Sequence, residues 1–314
     1  MFPFSTYLKL RRNGVLGINA RNSEYILTHN ARRLYPLVDN KILCKQRLLE
    51  QGVSVPALLG HIRTEYGASH LEHLLAERGE FVVKPASGSG GSGILVIVAK
   101  RNQMWVTPGG QMLTLDDIQY HVSGIINGLY SLGGQPDEAM LEALVHSDPR
   151  LKVLAPEGVP DIRVIGYRGV PLMAMIRLPT RRSRGKANLH LGAVGSGINL
   201  VTGRTMTAVT NNLVVEEHPD TGHPLSDFEI PDWEGLLHLA TRCFEAVGLG
   251  YVGVDIVLDR DRGPLVLELN ARPGLAIQIA NRSGLRRRLD RVDADWAPDL
   301  SIEARIRLGY LAAS

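Results

Sequence analysis

The sequence predicts an α+β fold of two lobes, and three observations point there. Strand-like segments occur in pairs joined by tight turns, as in DIRVIGY (161–167), the Arg168-Gly169 turn and VPLMAMIRL (170–178). Helical periodicity is confined to separate segments and does not alternate with single strands, which argues against a run of βαβ units. A stretch rich in Pro, Asp and Gly near 146–160 divides a smaller front lobe from a larger back one. With 44% hydrophobic and 21% charged residues in 314, the chain is neither disordered nor fibrous.

Residues 1–38 show no period and read as a short irregular N-terminal segment. Asp39-Asn40 predicts a capped helix over 41–51, with Ile42, Leu43 and Leu49 on one side and Gly52 as its stop. A second helix is expected over 68–78. FVVKPA (81–86) and ILVIVA (94–99) read as strands around a Gly/Ser loop, and Pro108-Gly109-Gly110 marks a further hairpin turn. Ile118, Val122, Ile125 and Leu129 give helical spacing over 115–131, and AMLEALV (139–145) reads as a buried strand. Leu236, Leu237, Ala240 and Phe244 predict a helix over 233–247. YVGVDIVL (251–258) and PLVLELN (264–270) form a hairpin. A helical segment rich in Arg and Asp follows. The expected divisions are 1–38, a small lobe over 39–145, a large lobe over 146–284 and a C-terminal segment over 285–314.

A net charge of +3 is too weak to indicate nucleic-acid binding. The basic residues are skewed, with seven lysines against 28 arginines. Cys44 and Cys243 read as reduced, buried thiols. No apolar run approaches the length of a membrane span, and the start has no apolar signal region, so a cytoplasmic protein is expected.

Two patterns carry chemistry. Residues 88–93 spell G-S-G-G-S-G, but between two strands, which excludes a dinucleotide fingerprint; no Gly-Lys-Ser/Thr follows, which excludes a Walker loop. What remains is a flexible hairpin whose N–H groups suit phosphates, with Lys84 ending the preceding strand. In the 251–270 hairpin, alternation puts Val252, Val254, Ile256 and Leu258 on one face and Asp255 on the other. The same rule puts Leu265, Leu267 and Leu269 on the core face, with Glu268 and Asn270 opposite. Asp255, Glu268 and Asn270 are hard oxygen donors suited to Mg²⁺.

These pieces, in this order, resemble the ATP-grasp ligases. The residues carrying the resemblance are Asp39-Asn40-Lys41, FVVKPASGSGGSGI, the Met140–Val145 strand, Asp161-Ile162-Arg163 and GVDIVLDRDRGPLVLELNARPG. The branch most similar is the alpha-L-glutamate ligase-related group, kin to ribosomal-protein glutamate ligases. The resemblance implies an ATP-grasp fold, two α+β lobes with ATP between them, here with a truncated N-terminal domain. It implies an ATP- and Mg²⁺-dependent carboxylate–amine ligase acting through an acyl phosphate, with two Mg²⁺ ions and Mn²⁺ as an alternative.

Position by position, it implies that Lys41 and Lys84 bind phosphate. Ser87, Gly88, Ser89, Gly90, Gly91, Ser92 and Gly93 cover the phosphates. Glu142, Ala143, Leu144 and Val145 form the adenine hinge, and Asp148 meets the ribose. Asp255, Glu268 and Asn270 match the metal ligands. Arg163 and Arg272 hold the reacting carboxylate or leaving phosphate, and Lys186 and Asn188 face the γ-phosphate. The implied partners are glutamate or another carboxylate substrate and an amine on a small molecule, peptide or protein; a homo-oligomer is left open. A small-molecule kinase and a non-enzymatic nucleotide-binding regulator are the alternatives.

Weaker features read as structural. His70 and His73 sit at i, i+3 with no third metal ligand, and His218 and His223 flank an exposed turn. His190 shares a strand face with Asn188 if the segment is extended. Arg181, Arg182 and Arg184 form a basic loop that reads as an anion-gripping lid. Arg286-Arg287-Arg288 is expected to pair within its helix with Asp290, Asp293 and Asp295.

Overall fold

A computed structural model describes residues 4–88 and 90–314. The chain forms two compact units. One holds Asn40–Ile42 and Pro56–Val145; the other holds Met1–Asp39, Leu43–Val55 and His146–Ser314. Ser89 lies outside the described residues.

The smaller unit contains β1 (Leu58–Ile62), β2 (Phe81–Pro85), β3 (Leu95–Ile97), β4 (Ala99–Arg101), β5 (Met104–Val106), β6 (Met112–Leu113) and β7 (Ala139–Glu142). One antiparallel sheet has the order β1-β7-β2-β3, and a second has the order β4-β5-β6. The expected 94–99 strand therefore breaks at Val98 and serves both sheets. A helix over Leu115–Ile126 starts on a Thr114/Asp117 capping box and buries Ile118, Val122 and Ile125 against Phe81, Val83 and Trp105. It stops five residues short of the expected end. Gly128 takes φ +81°, and a Cβ there would meet the Gln135 carbonyl oxygen at 2.5 Å. Leu129 is consequently exposed. The expected 68–78 helix is two five-residue helices, Glu65–Ser69 and Leu71–Leu75, separated by His70 at φ −104°, ψ 16°.

The larger unit contains β8 (Asp161–Tyr167), β9 (Val170–Leu178), β10 (Val194–Ile198), β11 (Thr205–Thr210), β12 (Leu213–Val215), β13 (Tyr251–Asp259) and β14 (Gly263–Asn270). They form one antiparallel sheet of order β12-β11-β10-β9-β8-β13-β14. One face packs Val252, Val254, Ile256 and Leu258 against the Trp233–Val247 helix. The other carries Tyr167, Met173 and Tyr251 under Tyr25, Leu285 and Leu289. Antiparallel sheets often leave one face wet; here all nine residues of β13 are buried.

The second cover comes from segments with little sequence signal. Residues 18–29 are helical, with π-wound Arg21–Ile26 in the middle, and Phe4–Arg12 is a helix. The N-terminal segment is thus not irregular. In the Lys41–Glu50 helix, Ile42, Cys44, Lys45 and Leu48 are buried, whereas Leu43 and Leu49 are exposed. Both cysteines are buried, and among the described residues neither forms a disulfide. Arg286 pairs with Glu24, and Arg288 donates to the Leu172 carbonyl, so tertiary partners replace the expected intrahelical ones. His218 is buried and bonds the Pro179 carbonyl, contrary to expectation. No helix of the described residues is long and apolar enough to cross a membrane.

Candidate active site

In the smaller unit, Lys84 and Glu142 stand diagonally on paired strands β2 and β7, with Val82 opposite Glu142. The Lys84 ammonium lies 2.5 Å from the Glu142 carboxylate, and both residues are at most 5% exposed. Lys41 donates to the Gly88 carbonyl, and its backbone N–H to the Ala86 carbonyl. Both nominated phosphate lysines therefore stand at the root of the glycine hairpin. The hairpin is moored at its ends. Ser87 N–H donates to the Asp137 carboxylate, and the His121 ring bonds the Gly93 carbonyl at 2.9 Å. Gly90, Gly91 and Gly93 take positive φ, which L side chains resist. A Cβ on Gly93 would also meet the Tyr130 ring at 2.6 Å. Ser92 is exposed at the tip. At the expected adenine hinge, the Ala143 N–H already donates to the Ala57 carbonyl, and β7 ends at Glu142, before Leu144 and Val145.

In the larger unit, Asp255 pairs across to Glu268 on β14 and to Arg163 on β8. Arg163 grips the Asp255 carboxylate through Nε at 2.6 Å and an Nη at 2.5 Å. Arg177 from β9 grips Asp161 in the same two-pronged way and reaches Asp255 at 2.9 Å. Such bidentate charge-assisted pairs fix both partners. Asp255 has no solvent exposure. Burial pushes its carboxyl up, but Arg163 and Arg177 outweigh that and hold it well below the usual carboxylate range. Burial lifts the Asp161 carboxyl to about 6 against the pull of Arg177. The Arg177 guanidinium is held protonated by Asp161 and Asp255. The Glu268 side chain hydrogen-bonds Asp255, so two carboxyl groups meet beside this lattice.

The core-face expectation for β14 changes. Ile256 pairs with Val266 while Asp255 pairs with Glu268, so Leu267 is an extra residue in a bulge. Val266 and Leu269 enter the core, and Leu267 is only partly buried. The bulge is what lets Glu268 meet Asp255; a plain count back from the turn would set Leu267 there. Asn270 lies opposite Gly253 and accepts the Arg272 N–H at 3.1 Å.

Other nominated residues fare differently. Asp148 caps a short 3₁₀ helix and binds Arg150 at 2.6 Å, which lowers its carboxyl and commits it to a structural pair. Lys186 is exposed, and Asn188 caps a turn by accepting the His190 N–H. His190 therefore lies in a 3₁₀ turn and not on a strand face. His70 and His73 are exposed, and among the described residues no cluster of His, Cys, Asp and Glu forms a metal site. Arg177, Asp137 and His121 were not found from sequence. Counting back from the Arg168-Gly169 turn misplaces Arg177 by one residue, because β8 and β9 slip register near Ile165.

Residues 20–294 match the model of the sugar-transfer associated ATP-grasp family. The chain belongs to that family. The ATP-grasp superfamily expected from the motifs is thereby shown, and the α+β fold with it. Three solved structures similar to this ATP-grasp chain share 12–17% identity with it. The ATP-grasp ligase PsnB complexed with minimal precursor is 17% identical, over 78% of this chain and 56% of that one, with a TM-score of 0.41. D-alanine–D-alanine ligase from Bacillus anthracis is 14% identical, over 88% and 70%, at 0.44. A RimK domain ATP-grasp protein from Sphaerobacter thermophilus is 12% identical, over 90% and 70%, at 0.45. The chain spans less than two thirds of the PsnB structures it matches. Among curated proteins, none matches the chain.

Proposed function

We propose that this ATP-grasp chain is an ATP- and Mg²⁺-dependent carboxylate–amine ligase. The observation that carries the reading is the meeting of Asp255 and Glu268 beside Arg163 and Arg177. Three carboxyl groups, counting Asp161, stand against two guanidinium groups, and two of the carboxyls touch. That excess of negative charge in a buried setting fits a divalent cation, and every donor is a hard oxygen. Glu268 and Asn270 would hold the ion with Asp255. The Asp255 oxygens already accept three guanidinium N–H bonds, so its part is to anchor the set. Bound Mg²⁺ supplies charge neutralisation at the phosphates.

The remaining roles follow from the chain's own groups. Lys41, Lys84 and the glycine hairpin's N–H groups bind phosphate and exclude water. In the first step a substrate carboxylate oxygen bonds to the γ-phosphorus, the bond from γ-phosphorus to the β,γ-bridging oxygen breaks, and ADP leaves with that electron pair. In the second an amine bonds to the acyl carbon, phosphate leaves, and the nitrogen loses a proton. Arg163 acts by positioning Asp255, and Arg272 meets the acid. An amino acid such as glutamate remains the proposed acid, in keeping with the glutamate-ligase resemblance.

The test is ADP release across a panel of amino acids and amines, with hydroxylamine as trap. Hydroxamate formation, and a drop of at least about 100-fold in Glu268→Ala, are expected. ADP release without hydroxamate would replace the ligase by a kinase.

A further inference from the structure

Arg21 lies in the π-wound turn of the N-terminal segment and is 7% exposed. Its guanidinium donates to the Pro273 carbonyl at 2.7 Å and to the Asn22 side-chain oxygen at 2.8 and 3.1 Å. Those partners are neutral, and among the described residues Arg21 has no carboxylate partner. Arg272 is the charged neighbour, and it too lacks an ion pair among the described residues; its guanidinium stacks on Tyr35 at 4.9 Å. A buried charge is normally paired, because removing it from water costs several kcal/mol. An arginine cannot shed its proton to escape that cost. Two neighbouring cations with no acid between them therefore call for an anion from outside the chain.

An independent observation marks the same place. Tyr251 is fully buried, and among the described residues its hydroxyl has no hydrogen-bond partner. Its ring lies 6.2 Å from that of Tyr25, and its backbone is pinned by the Asn30 side chain. Arg21 is the charged group acting most strongly on it. An unmade hydrogen bond in a buried phenol is uncommon and asks for an explanation. Arg21 bonds the Pro273 carbonyl next to Arg272, and the Asn30 amide joins the Tyr251 and Ala271 carbonyls, so the three side chains belong to one neighbourhood of the fold.

We infer that Arg21, Tyr251 and Arg272 form an oxyanion subsite that takes a carboxylate or phosphate group of the substrate. Along β13, Tyr251, Gly253 and Asp255 share one face, and Pro273 covers Gly253, where a Cβ would meet it at 2.8 Å. The subsite and the acidic lattice thus stand on one sheet face, within ~13 Å of one another. On the ligase reading the substrate is an acid carrying a second anionic group, the subsite holding one group and the other being the carboxylate that reacts. Assigning the anion to the acid substrate rests on the ligase reading; the subsite itself does not.

The test is thermal melting of the full chain without nucleotide, at fixed ionic strength, titrated with glutarate, L-glutamate or inorganic phosphate. At least one should raise the melting temperature saturably. A phosphate response alone assigns a phosphorylated substrate, and a glutarate or glutamate response a dicarboxylic one. Tyr251→Phe removes one oxygen that has no partner, so the unliganded melting temperature should stay or rise. The apparent Kd for the anion should weaken about tenfold or more, the loss expected for a hydrogen bond to a charged group. Arg21→Gln should abolish the response. A merely structural Arg21 would lower the unliganded melting temperature and leave the response intact. Silence of the wild-type chain to all three anions, or a wild-type Kd in Tyr251→Phe, overturns the proposal. Failure of the ligase reading shows separately, as absent ADP release.

Discussion

Removing the charge of Lys84 should destabilise the smaller unit strongly, and removing Glu142 with it should not. The two side chains are 6% and 3% exposed and 2.5 Å apart. Deleting one partner of such a pair leaves a buried charge and costs about 3–5 kcal/mol, whereas replacing both by apolar groups is often neutral. A unit of roughly 90 residues holds about 5–13 kcal/mol in all, so Lys84→Met removes about a quarter of it or more. With a urea slope of about 2 kcal/mol/M, the midpoint should fall by about 1.5–2.5 M. Trp105 is buried in this unit's core and reports its unfolding by fluorescence. Lys84→Met, Glu142→Leu and the double variant make a thermodynamic cycle, and the double should regain at least about 2 kcal/mol over additivity. If Lys84 binds phosphate as proposed, the double variant should still bind ATP poorly. Single losses below about 1 kcal/mol, or simple additivity, would refute the buried-pair argument.

Gly93→Ala places a methyl against the Tyr130 ring in a left-handed backbone position, and should cost about 2 kcal/mol in thermal melts while raising the KM for ATP; an unchanged melting curve would contradict the close contact. Asp259 is nearly buried, and its carboxyl opposes the cost of burial by accepting from Arg262, Asp261 and His146, which lowers it to about 2. A depressed acid stabilises the fold above its unfolded value of about 3.9, and that contribution is lost as pH falls through about 2. Asp259→Asn should therefore be less stable than the wild type at pH 7, with the gap closing between pH 4 and 2; a gap independent of pH would count against the assignment.

Much of the candidate site was legible because it lies in short segments. Asp255, Glu268 and Asn270 sit in one hairpin, and Lys84 adjoins the glycine loop in the chain, so spacing and alternation suffice to group them. What failed was counting across irregular pairs. Bulges in β13–β14 and β8–β9 shift the register by one residue, which moved Leu267 out of the core and hid the Asp161–Arg177 pair. A bulge is a local backbone choice with no marker residue in either strand.

The sequence by itself determined the hairpin order, the polar donors of the β13–β14 pair and the superfamily, since each is written within a few consecutive residues. Tertiary structure alone decided that the face of the large sheet carrying Tyr251 and Asp255 is covered. Residues 18–29 and the Arg286–Asp295 helix bury it, although neither announces a core-facing role. It also decided which of 28 arginines matter. Arg163 and Arg177 are set apart by burial against acids from other strands, and Arg21 by burial against none among the described residues. Charge is written in the sequence, but its energetic weight depends on what replaces the water around it, and distant segments supply that.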